Sequence, residues 1–326
     1  MVVVENPYGG VVPELVEDLR RGRAYDRFRQ SLYEAAALGV NMSVPYGAWM
    51  GSVIEDAFYP PHDLAAEIQR FLADHEPLYA TGSHSEVAVV FSVGSSFRAT
   101  HPEVMGDNRE NRPFEERVPF WEACETLSAA LQPYDVVFFP DGTLRPDALA
   151  VDDLARYRTL VLPECRFVTG RQAELLAGYL AAGGRLVVCG GLGDNLDAAT
   201  REGLLGHPGT RAVGPFGFAL DLLDGGPQVV VAEGATDAAL TLQAVGDGAA
   251  LHLVRYDYDP DADRVPPLER LVLEVRLPFR PAAAHPASPD GTLAAALAPA
   301  PGGRARLVLG HAGVYGIVHL PAGAAR

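Results

Sequence analysis

Apolar positions along the chain change their period twice. In the first 80 residues short apolar runs alternate with helical patterns. Val2 to Val4 form a β-branched run that ends at Glu5-Asn6-Pro7-Tyr8-Gly9-Gly10. Tyr25, Phe28, Leu32 and Ala35 recur at helical spacing, with Gly39 placed to stop the helix. Val40 to Val44 is a second short strand, which opens into the aromatic loop Pro45-Tyr46-Gly47-Ala48-Trp49-Met50-Gly51. Leu64, Ile68 and Leu72 mark another helix, with Asp63 as its expected N-cap.

The middle of the chain alternates more regularly. Strands are expected at Glu86–Ser92, Val136–Phe139, Thr159–Leu162 (ending at Pro163) and Arg185–Val188. Between them, Phe120, Cys124, Leu127 and Leu131 line one helix face, and Leu176 and Leu180 line another. The second helix begins at Thr169 and Gln172, which have capping-box spacing, and stops at Gly183-Gly184. Strands separated by helices predict a doubly wound parallel sheet covered on both faces.

After about Asp224 the helical period disappears. Seven short β-like runs follow, from Gln228–Ala232 to Val314–Leu320, with turn residues between them. They predict a small antiparallel sandwich, with the Pro/Ala-rich stretch 280–291 as a loop inside it. The expected domains are therefore 1–82, 83–224 and 225–326.

Composition narrows the chemistry. The net charge of −16 argues against nucleic acid and anionic membranes as partners, since both need clustered positive charge. All 26 basic residues are Arg, so no Schiff-base, pyridoxal-phosphate or P-loop lysine exists. Cys124, Cys165 and Cys189 lie in or beside apolar runs and read as reduced, buried thiols. No apolar run reaches the ~18–20 residues of a membrane span, and the N-terminus lacks the basic and apolar regions of a signal peptide. A cytoplasmic location is expected.

Val161–Gly191 (VLPECRFVTGRQAELLAGYLAAGGRLVVCGG) resembles the class I glutamine amidotransferase-like domain of β-galactosidases of glycoside hydrolase family 42, known there as the trimerisation domain. Upstream, VVVENPYGG and GVNMSVPYGAWMG resemble the seventh and eighth strands of the (β/α)8 barrel that precedes it. Downstream, His252–Asp259 (HLVRYDYD) and the final strands resemble the C-terminal β domain of those enzymes. The resemblance implies an α/β protein with three parts. A partial TIM-barrel-like segment comes first, then a flavodoxin-like, amidotransferase-like three-layer domain, then a β-sandwich. About six barrel strands are not in this sequence, and two βα units cannot close a barrel. The implied protein is the C-terminal part of a carbohydrate-active, glycoside hydrolase-like protein, incomplete as a catalyst alone. It would be a homo-oligomer or the partner of a complementing barrel subunit. The alternative is a non-catalytic oligomerisation or carbohydrate-binding module.

On this resemblance Glu5 falls at the family's nucleophile position, the end of the seventh strand. The partner acid, on the family's fourth strand, has no counterpart here, and Glu55 and Asp56 are weak stand-ins. A retaining pair needs the two carboxyls about 5–5.5 Å apart. Asn6, Tyr8, Tyr46 and Trp49 are the candidate sugar-binding residues, the aromatic rings offering an apolar face to ring C–H groups.

Other motifs carry less. Cys189 lacks the Gly-x-Cys-x-Gly of an amidotransferase elbow, because Val187 stands where the first Gly belongs, and no His-x-Glu follows. Cys165, in Pro163-Glu164-Cys165, is a second soft elbow. Asp257, Asp259, Asp261 and Asp263 have the spacing of oxygen ligands but lack the Gly and Glu of a calcium loop, and read as an acidic hairpin turn. Gly190–Asp194 (GGLGD) is an incomplete phosphate cradle. None of the nine His falls in an HxH or HxxxH pair, so no metal or cofactor is expected.

Overall fold

The computed structural model describes residues 4–5, 13–39, 41–42, 61–80, 82–98 and 118–323. The chain forms two compact units: Ser85–Gln228, and Met1–His84 together with Val229–Arg326.

The N-terminal elements are β1 (Val4–Glu5), α1 (Pro13–Arg20), α2 (Tyr25–Ala37), β2 (Asn41–Met42) and α3 (His62–Asp74). β1 and β2 are parallel neighbours, with Val4 opposite Asn41 and Glu5 opposite Met42. Helix α2 follows the expected spacing, with Phe28 and Leu32 fully buried. Gly39 takes φ +69° just past its end, as a stop residue must, and donates to the Ala36 carbonyl. Asp63 is not the N-cap of α3. Pro61 holds that position without a side-chain bond, and Asp63 sits in the first turn, where a carboxylate still meets the positive end of the helix dipole.

Helices α1, α2 and α3 pack on strands from the far end of the chain. Phe28, Leu32, Tyr33, Ile68 and Phe71 share one buried cluster with Ala250, Val254, Tyr315 and Ile317. Polar contacts fix the join. The Ala37 carbonyl, one of the orphan acceptors at the end of α2, accepts from Thr241 Oγ1 at 2.9 Å and Gln243 Nε2 at 2.8 Å. At the other end, the Ala24 N–H donates to Asp263 at 2.8 Å.

The central unit contains β3 (Val87–Ser92), α4 (Val93–Arg98), α5 (Pro119–Ala129), β4 (Asp135–Phe139), α6 (Val151–Leu154), β5 (Thr159–Cys165), α7 (Gly170–Ala181), β6 (Arg185–Leu192), α8 (Ala198–Leu205) and β7 (Thr210–Val213). Its sheet is parallel, in the order β4-β3-β5-β6-β7. Successive strand residues serve opposite faces. Ala88, Val90, Leu160, Leu162, Leu186 and Val188 join the cluster with Leu176 and Tyr179 of α7. Val87, Val89, Val161, Val187 and Cys189 join Ala123 and Leu127 of α5. A sheet covered on both faces explains why these strands read as unbroken apolar runs.

The capping box at Thr169 is complete: Gln172 N–H donates to Thr169 Oγ1, and Thr169 N–H donates to Gln172 Oε1. Gly183 (φ +95°) and Gly184 close α7, and a Cβ on Gly184 would strike the Tyr179 ring. β5 does not stop at Pro163. It continues to Cys165, and the missing proline N–H is absorbed where the register with β6 shifts between Pro163 and Cys165.

The last hundred residues form β8 (Val229–Glu233), β9 (Ala238–Val245), β10 (Gly248–Arg255), β11 (Leu271–Val275), β12 (His285–Ala287), β13 (Ala294–Pro299), β14 (Ala305–Gly310) and β15 (Tyr315–Leu320). They build two four-stranded antiparallel sheets, β12-β15-β10-β9 and β13-β14-β11-β8. β12 lies inside the stretch expected to be a loop. It is an edge strand, where Pro286 costs no ladder bond. Among the described residues no helix is long and apolar enough to cross a membrane.

Candidate functional site

Glu5 is the last residue of β1, beside Met42 at the end of β2, with α2 between the two strands in sequence. The C-terminal end of parallel strands is where (β/α) architectures present catalytic side chains. Asn6, Tyr8, Tyr46, Trp49, Glu55 and Asp56 lie outside the described residues.

The cysteines are built for packing. Cys189 lies within β6 rather than after it, fully buried, and burial pushes its thiol up to about 12. Cys165 ends β5, also fully buried, and is shifted upward for the same reason. Burial likewise raises Cys124, to about 11. A nucleophilic cysteine needs the opposite shift.

The end of β5 is nonetheless strained, and the strained residue is the carboxylate Glu164. Glu164 has φ +47°, and its carbonyl accepts from Arg166 N–H at 2.8 Å. Its side chain pairs with Arg166, which also reaches Asp194 at 3.1 Å; Asp194 in turn binds Arg201 at 3.1 Å. The glycines of GGLGD are pressed against this network. A Cβ on Gly190 would collide with Glu164, and one on Gly191 would meet Arg166. The space a phosphate cradle would leave open is filled by the chain's own side chains.

The acidic repeat is a hairpin turn, as its sequence suggested. Asp259 N–H donates to the Arg264 carbonyl at 2.8 Å, and Arg264 N–H donates back at 3.2 Å. Three of its four carboxylates are spent on protein donors. Asp257 accepts from Thr236, Asp237 N–H and Arg255; Asp259 accepts from the N–H groups of Asp261 and Ala262; Asp263 accepts from Tyr258 and Ala24. Among the described residues no group of three or more His, Cys, Asp or Glu side chains could hold a metal ion.

One polar site was not anticipated from sequence. A cavity of about 300 Å³ is lined by Asp26, Arg29 and Tyr33 of α2, Glu67 of α3, Asp290 and Tyr315. Arg29 forks onto Glu67 at 2.9 and 2.8 Å and donates to Asp26 at 2.9 Å. Tyr33 is fully buried and stacks on Tyr315 with ring centroids 4.7 Å apart. Its hydroxyl has no hydrogen-bond partner among the described residues. The signal was present at Asp26, Arg29 and Tyr33, whose spacing of three and four puts them on one stripe of α2.

No family model and no curated protein matches the chain. Solved structures do. α-L-Fucosidase isoenzyme 2 from Paenibacillus thiaminolyticus aligns over 92% of this chain and 58% of its own, at 13% identity and a TM-score of 0.58. The chain thus spans little more than half of that protein's length. A catalytic mutant of a GH42 β-galactosidase from G. stearothermophilus aligns over 79% of this chain and 44% of its own, at 10% identity and TM-score 0.43. A β-galactosidase from Bacillus circulans sp. alkalophilus covers 79% and 44%, at 12% identity and TM-score 0.46. The fucosidase alignment shows a shared fold, a mixed α/β architecture in which a five-stranded parallel sheet and a parallel strand pair accompany two antiparallel sheets.

Proposed function

We propose that this chain is a carbohydrate-active protein of the glycoside hydrolase type, β-galactosidase-like, corresponding to the C-terminal part of such an enzyme. In this reading 1–82 is the closing portion of a (β/α) barrel, 83–224 a flavodoxin-like, amidotransferase-like domain, and 225–326 a β-sandwich. The observation that carries it is Glu5, set at the end of β1 in a parallel pair with β2. The fold shared with α-L-fucosidase isoenzyme 2 along 92% of the chain supports it.

Glu5 is assigned as the nucleophile of a retaining displacement: its carboxylate attacks the anomeric carbon while a second carboxylic acid protonates the departing oxygen. Asn6 and Tyr8 follow it directly in sequence and, with Tyr46 and Trp49, are assigned to the sugar. The two strands β1 and β2 do not make a barrel, which needs eight. The acid is therefore assigned to the remaining barrel strands, supplied by further polypeptide or by a complementing subunit. A cytoplasmic location is assigned on sequence grounds.

The test is hydrolysis of nitrophenyl glycosides by the purified chain, alone and with the polypeptide that completes its barrel, before and after Glu5→Gln. Loss of turnover in the variant supports the assignment. A second reading, a non-catalytic oligomerisation or carbohydrate-binding module, is favoured by the central unit, where the thiols are protonated and the ends of β5 and β6 are filled by Glu164 and Arg166. Sugar binding without turnover under both conditions selects it.

A further inference from the structure

The described lining of the cavity beside α2 does not include Glu5, and its chemistry does not depend on that residue's role. Three carboxylates, Asp26, Glu67 and Asp290, face one guanidinium, Arg29. That guanidinium is already held by two of them, so the lining is rich in acceptors and carries net negative charge. Asp290 Oδ1 accepts from Ser288 Oγ at 2.6 Å and Thr292 N–H at 3.1 Å, while Oδ2 accepts no bond from a described residue. The Tyr33 hydroxyl is buried with no hydrogen-bond partner among the described residues, and Tyr33 lines this cavity. Leaving a buried hydroxyl unsatisfied is unfavourable, so such a group calls for a partner.

We propose that this cavity binds a small organic ammonium ion. An anion would meet like charge. A neutral polyol would cover the carboxylates without compensating them, at the cost of their lost hydration. An ammonium supplies N–H donors to Asp290 Oδ2 and the Tyr33 oxygen and balances the excess charge. The volume is at the small end of ligand sites, so the ligand is a compact amine rather than an oligomer. The protein's overall negative charge favours its approach.

The experiment is calorimetric titration of the full chain with 1,4-diaminobutane at fixed ionic strength, with galactose and calcium chloride titrated separately. The expected result is saturable diamine binding that weakens by about tenfold in both Tyr33→Phe and Asp290→Asn. Without diamine, Tyr33→Phe should melt at the wild-type temperature or slightly above, because the hydroxyl it removes has no partner. If either variant does not fold, the other carries the test alone. Diamine heats no larger than those of sodium chloride would overturn the proposal. So would binding of galactose or calcium in place of the amine, or variants that bind diamine like wild type.

Discussion

His252 Nδ1 lies 2.6 Å from the hydroxyl of Tyr315, a member of the cluster that joins α1, α2 and α3 to the C-terminal sheet. On its other side His252 Nε2 is 3.2 Å from the Leu78 carbonyl. A carbonyl only accepts, so Nε2 carries the proton and Nδ1 accepts from Tyr315. The ring is neutral, and burial lowers its pKa to about 4.

That pKa has a consequence for acid stability. The unfolded chain's histidine titrates near 6.5, so between 6.5 and about 4 the unfolded state binds the extra proton. The contribution is fully present above pH 6.5 and is lost as pH falls toward 4, up to about 3 kcal/mol. Urea unfolding at pH 7 and pH 4.5 should show the loss, and His252→Gln should flatten the part of the slope due to this residue. An equal slope in wild type and variant would contradict the assignment. Tyr315→Phe should cost about 1–3 kcal/mol at neutral pH by leaving Nδ1 unpartnered.

Arg255 is a buried cation that organises the loops beside the sheet. It is 3% exposed and donates to the Pro266 and Ala312 carbonyls, to Thr236 and to Asp257. Removing one member of such a network leaves the others unpaired in the interior. Arg255→Ala should destabilise by about 3–5 kcal/mol in chemical denaturation. A loss under 1 kcal/mol would mean that the carbonyls find water.

Gly190 combines φ +85° with a Glu164 carboxylate that occupies the space a Cβ would need. Gly190→Ala should therefore cost more than about 1 kcal/mol, from backbone strain together with displacement of Glu164. Glu164→Ala in the same background should recover part of the loss. Melting temperatures of the two single variants and the double variant read this coupling.

The thiols give a quick chemical check. Cys165 and Cys189 are fully buried with raised pKa values, so both should resist alkylation by iodoacetamide in the native protein at pH 7 and react on unfolding. Fast native labelling of either would revive cysteine chemistry.

Local signals carried much of the fold. The reciprocal bonds of Thr169 and Gln172, the stop at Gly183-Gly184 and the helical spacing of Phe28 and Leu32 are all short-range, and each stands where its residues suggested. What was hidden depends on distant partners. Asp263 meets the start of α2 across 239 residues, and Gln243 meets its end across 206. No periodicity announces such contacts, so the packing of the first helices on the last strands was not legible. Pro163 was misread because a bulge absorbs its missing donor, and β12 because an edge strand tolerates Pro286. The candidate site divides the same way. Glu5 was legible as a strand-end carboxylate, whereas the Tyr33 cavity needs α2, α3 and the Asp290 loop brought together.

The measurement that bears most directly on the central claim is the rate of nitrophenyl β-galactoside hydrolysis before and after Glu5→Gln, with the chain alone and with its barrel completed. The account predicts turnover in the completed protein that falls to the uncatalysed background in the variant. Turnover that Glu5→Gln leaves unchanged would contradict it.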